Sequence, residues 1–133
     1  MDLKVQLVAK LLESIPDVRA IYRFGTWGTA AERPDSDLDL AFLPGAPTDS
    51  VLRWELAQQI ACLVGRDVDL VDLLTASTVL RMQVLATGER LYCSGCADVE
   101  SFEDVVFSEY ARLNEERREI LEDIRQRGTV YDK

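Results

Sequence analysis

The chain has 133 residues, 47% of them apolar, which is enough for one domain with a modest core and too apolar for a disordered segment. Its 24 acidic residues against 15 basic ones give a net charge of −9 with no stripe of Lys and Arg, which argues against a surface that grips a nucleic-acid backbone. Histidine is absent, so imidazole bases, Ser-His-Asp triads and His-containing zinc sites are excluded.

Leu3, Leu7, Val8, Leu11, Leu12 and Ile15 recur at helical spacing, which predicts an amphipathic helix over residues 2–15 ended by Pro16. The charges within that apolar pattern do not suit a signal peptide, and no window has the length needed to span a bilayer, so a cytoplasmic protein without a membrane partner is expected. Val18–Phe24 reads as a first strand, with Ala20, Tyr22 and Phe24 on one face and Ile21 between two arginines on the other. A small-residue turn, Gly25-Thr26, closes it, and the ten residues Trp27–Ser36 lead to a second strand over Asp37–Leu43. Pro44-Gly45-Ala46-Pro47 is turn chemistry.

A second helix is expected near 50–64, capped by Thr48 or Asp49 and closed by Gly65, with Val51, Leu52, Leu56, Ile60 and Leu63 inward. Trp27 and Trp54 could each stack a base, although packing is the commoner use of a lone tryptophan. Val68–Leu73 is a short strand carrying Asp69 and Asp72 on opposite faces. A third helix starts at Thr75 or Ser77 and stops at Gly88, and Glu89–Cys93 forms the last strand.

From Asp98 to Arg127, the residues Phe102, Val105, Val106, Leu113, Ile120, Leu121 and Ile124 fall on one helical stripe. The first half is expected to pack on the sheet; the charged second half can also serve a partner. A single domain results, with a core over 1–97 and a terminal helix and tail over 98–133. Of the three cysteines, Cys93 and Cys96 form Cys-x-x-Cys, read as reduced thiols in a turn because zinc would want four ligands and cytosolic thiols stay reduced.

The chemistry concentrates at residues 24–42, FGTWGTAAERPDSDLDLAF. Asp37 and Asp39 share one strand face while Leu38, Leu40 and Phe42 share the other. Adjacent carboxylates repel each other, and the pair makes sense as a holder for a hard divalent cation with phosphate oxygens, the manner of Mg²⁺. A glycine just before them lets backbone N–H groups come close to phosphate. Only one of Asp69 and Asp72 can join this pair.

Gly-Thr, ten residues, then Asp-x-Asp on an alternating strand resembles the signature of the polymerase β nucleotidyltransferase superfamily, in its minimal single-domain branch. The resemblance covers about the first two-thirds of the chain and departs at Thr26, where serine is usual. It implies an α/β (α+β) fold, a small mixed sheet of about four strands flanked by helices. It also implies a third carboxylate from a Val-Asp-apolar-Val strand, which Val68-Asp69-Leu70-Val71 matches, with Asp72 as the alternative. By this resemblance Asp37, Asp39 and Asp69 would be catalytic and hold two Mg²⁺ ions. Gly25 and Thr26 would hold the phosphates of ATP, and Ser36 would fix the loop.

The branch it resembles implies a function as well. Its members pair with a helical HEPN ribonuclease toxin and, as antitoxins, silence it by transferring AMP from ATP to a tyrosine. An aminoglycoside-type nucleotidyltransferase and a non-catalytic antitoxin that acts by contact alone are the other readings.

Overall fold

The computed structural model describes residues 2–25 and 37–126. Four helices and four strands follow in the order α1 (Leu3–Ser14), β1 (Ala20–Phe24), β2 (Leu38–Leu43), α2 (Ser50–Val64), β3 (Val68–Asp72), α3 (Thr78–Thr87), β4 (Glu89–Cys93) and α4 (Cys96–Gln126). The strands form one mixed sheet in the order β3-β2-β1-β4. The β1–β2 and β1–β4 pairs are antiparallel, and β2–β3, joined through α2, is parallel. Each expected element is present. β1 and β2 begin one or two residues later than the alternation suggested, β3 ends at Asp72, and α4 starts at Cys96, ahead of Asp98.

The sheet is covered on both faces, and strand alternation sorts its side chains between two cores. Ile21, Leu38, Leu40, Phe42 and Leu70 meet Leu7 and Leu11 of α1 and Leu56, Ala57 and Ile60 of α2. Ala20, Tyr22, Phe24, Ala41 and Leu43 meet Val84 of α3 and Val99 of α4. Caps fix the helix starts: the Asp2 carboxylate accepts from the Lys4 N–H, and the Ser77 hydroxyl accepts from the Leu80 N–H. Gly65 ends α2 in the left-handed conformation.

Side-chain placement departs from expectation in α2 and at one position of α4. In α2, Val51, Leu52 and Leu63 face solvent, and the inward set is Leu56, Ala57 and Ile60. Trp54 does not pack either, being 64% exposed. The helix is apolar nearly all round, so its pattern carried little information about which side would be buried. In α4 the first half packs as expected through Val99 and Val106, except that Val105 is exposed. Ile120, Leu121 and Ile124 are exposed on the second half, which outruns the sheet and α3 and was expected to be open to a partner. Cys93 and Cys96, expected as reduced thiols, meet across the turn that follows β4. The Gly95 turn brings their Cα atoms to 5.6 Å, within bridging reach.

Candidate active site

The carboxylates gather at the end of the sheet where β1 leaves and β2 and β3 begin. Asp39 pairs in register with Phe24 on one side and with Asp69 on the other. Neighbouring strands lie about 4.8 Å apart, so Asp39 and Asp69 stand side by side on the face that carries Ala41 and Leu43. Asp37 lies just before β2, on the same alternation as Asp39. The crowding registers in the charge state of Asp39. Partial burial, then the charges of Asp69 and Asp37, push its carboxyl above the ordinary carboxylate range.

Gly25 closes the site from β1. Its φ of 78° lies in the left-handed region, and a Cβ there would run into the Asp39 carboxylate, with the carboxyl carbon at 3.1 Å. The turn can therefore pass close over Asp39 only without a side chain. Thr26 and Ser36, expected to contact phosphate and to fix the loop, lie outside the described residues, as does Trp27.

Asp72 is a different kind of residue. It is 2% exposed and points to the α1/α2 face. The Thr48 N–H and hydroxyl donate to its Oδ2 at 2.9 and 2.8 Å, and the Leu74 N–H donates to Oδ1 at 2.9 Å. Arg53 lies 4.0 Å away. Asp72 thus ties the end of β3 to the start of α2, and Thr48 serves that tie rather than capping the helix. Asp49 holds the cap position without a side-chain bond. The register thereby brings Asp69, and not Asp72, to Asp37 and Asp39.

Sequence reasoning passed over one group beside the site. Arg23, 8% exposed on β1 next to Phe24-Gly25, donates through Nε to Glu89 at 3.4 Å, and Lys4 of α1 donates to the same carboxylate at 2.8 Å. The Lys4 and Arg23 hydrogen bonds hold the Glu89 carboxyl below its usual range. This junction pins α1 and β4 to the strand that delivers Gly25. An arginine within the apolar run Ile21–Phe24 was its only trace in the sequence.

Hard oxygen donors are the right set for Mg²⁺, and the strain on Asp39 is what a cation would relieve. Among the described residues no three such groups are already gathered at metal-holding distance.

The polymerase β nucleotidyltransferase family model matches residues 6–95, a span that takes in the whole sheet and all three carboxylates. The chain belongs to the polymerase β nucleotidyltransferase family. This nucleotidyltransferase is 39% identical over 119 residues to the protein adenylyltransferase MntA of Shewanella oneidensis, covering 90% of this chain and 85% of that one. Among solved structures it superposes with a TM-score of 0.82 at 38% identity on a chain of a toxin–antitoxin crystal structure with AMP-PNP, covering 91% of this chain and 97% of that one. It superposes with a TM-score of 0.78, again at 38% identity, on a chain from a complex of tri-AMPylated Shewanella oneidensis HEPN toxin with MNT antitoxin, covering 92% and 95%. The long α4 helix is thus within the part shared with minimal nucleotidyltransferases of the antitoxin type.

Proposed function

We propose that this nucleotidyltransferase is an antitoxin that transfers AMP from ATP to a tyrosine of a cognate HEPN ribonuclease toxin and thereby silences it. The observation that carries the reading is the register pair Asp39–Asp69 with Asp37 beside it, in a chain related over nine-tenths of its length to a protein adenylyltransferase. The complex with AMP-PNP and the complex with AMPylated toxin, both of related chains, support ATP as donor and the toxin as acceptor.

The tyrosine oxygen would attack the α-phosphorus as the bond to the departing pyrophosphate breaks. Asp69, on the edge strand and open to solvent, takes the phenolic proton. Products are the AMP–tyrosine ester and pyrophosphate. Asp37 and Asp39, with Asp69, are the residues that would hold Mg²⁺, which supplies charge neutralisation at the attacking and leaving oxygens. Gly25 and Thr26 hold the β- and γ-phosphates through backbone N–H and hydroxyl, and Ser36 fixes the loop. The net charge of −9 suits a partner that must itself bind RNA, and gives the protein no direct hold on nucleic acid. Among the described residues no helix is long and apolar enough to cross a membrane, in keeping with work in the cytoplasm.

Incubating the toxin with this chain, ATP and Mg²⁺, then separating the two and weighing the toxin by mass spectrometry, tests the proposal. An AMP increment on tyrosine is expected, with toxin activity lost even after separation. The folded Asp37→Asn/Asp39→Asn protein should transfer none. Equal silencing by that double variant, or without ATP, would mean that contact alone is the mechanism.

A further inference from the structure

The apolar stripe of α4 changes its surroundings half-way along. Val99 and Val106 are fully covered and Phe102 packs beside them. On the same line of the helix, Leu113, Ile120 and Ile124 continue past the core, and Ile120, Leu121 and Ile124 are 60, 54 and 39% exposed. Residues 113–126 span about four turns, or about 21 Å. Arg117 stands within this seam, four residues after Leu113 and seven before Ile124; Arg125 lies on one flank, and Glu116 and Asp123 lie on the other.

A second copy of the chain fits this seam badly in either direction. A parallel two-fold pair would bring the seams together along the whole helix. In its first half the seam already faces its own sheet, so the two bodies would occupy one space. An antiparallel two-fold pair avoids that clash, but its symmetry sets like flanks against each other, bringing Glu116 toward Asp123 of the other copy. A narrow seam with helical period is filled by the ridge of another helix.

We infer that residues 113–126 of α4 dock an amphipathic helix of the protein that this enzyme adenylylates, one carrying acidic side chains toward Arg117 and Arg125 and basic ones toward Glu116 and Asp123. The inference rests on the proposed function for the identity of the partner. The exposed apolar residues of α2 lack this framing, and they serve as the control.

The test is co-expression with the cognate HEPN toxin and titration of the purified proteins without ATP. Ile120→Glu/Ile124→Glu should bind the toxin at least about a hundredfold more weakly, the loss typical of a central interface cluster. Both positions face solvent, so helix content and melting temperature should not change. Val51→Glu/Trp54→Glu should bind within about threefold of the parent, as peripheral positions do. The unaltered chain alone should sediment as a monomer. Normal toxin binding by the α4 variant, loss of binding by the α2 variant instead, or a dimer that the α4 variant dissolves would each overturn the inference. The two proposals fail separately. Asp37→Asn/Asp39→Asn should still bind the toxin without modifying it, and a parent chain that binds through the seam yet adds no AMP would sink the proposed reaction alone.

Discussion

Asp39 has the most constrained carboxyl in the site, and the constraint has a sign. Its proton is held more tightly in the fold than in the open chain, because burial and the charges of Asp69 and Asp37 oppose ionisation. The folded state therefore loses stability as pH rises from the ordinary carboxylate range through the raised value of Asp39, and is relieved below it. Asp39→Asn removes that penalty. In EDTA, urea titrations between about pH 4 and pH 8 should show the variant gaining on the parent as pH rises, by about 0.5–1 kcal/mol at the top, the size of a solvent-screened charge interaction. A pH-independent difference would mean that the charge crowding is not what strains the residue. Gly25 is constrained by shape instead. Gly25→Ala should destabilise the fold by about 1–2 kcal/mol for the left-handed backbone. By displacing the Asp39 carboxylate it should also lower AMP transfer at least about a hundredfold. Thermal melts and a radiolabelled transfer assay report the two effects separately.

At the scale of the element, β3 carries two aspartates with opposite work. Asp72→Ala deletes the acceptor for two backbone N–H groups and a hydroxyl in a buried place, so it should cost about 2–4 kcal/mol in urea denaturation. Asp69→Asn should change stability by less than about 0.5 kcal/mol, as an exposed position does, yet stop transfer. Transfer by Asp69→Asn near the parent rate would show that another group takes the proton. The strand itself was legible in its apolar run. Which aspartate joined the site was not, because that depends on pairing with β2 across the whole of α2. The two helices beyond it show the same limit. Amphipathic α1 declared its buried side correctly through Leu7 and Leu11, whereas α2, apolar around its circumference, did not.

Across the whole molecule, the sequence was informative wherever contacts are local. The Asp37-x-Asp39 pair, the Gly25 turn and the helix stops at Gly65 and Gly88 are all short-range patterns, and each stands where the spacing put it. What escaped was long-range. The Lys4–Glu89 bond joins residues 85 apart and the Arg23–Glu89 bond residues 66 apart, and no local pattern encodes either. The far half of α4 reads as open to a partner from its charge, because an apolar stripe alone signals burial without saying in which molecule.

The strand order adds one more consequence. Because β3 lies at an edge and, among the described residues, pairs only with β2, Asp69 rides on a strand with one neighbour to hold it. Edges open first in native-state fluctuations, and here the like charges of Asp39 and Asp69 face each other across that one seam of hydrogen bonds. By the proposed function, a cation held by these carboxylates would steady the edge of the sheet as well as neutralise charge in the reaction. Amide deuterium uptake at Asp69, Val71 and Leu73, whose N–H groups face β2, should therefore slow when Mg²⁺ and a non-hydrolysable ATP analogue are added to the parent protein, and should not respond in Asp37→Asn/Asp39→Asn. On that reading Asp69 would be held in place for proton transfer only once the nucleotide and its cation have arrived.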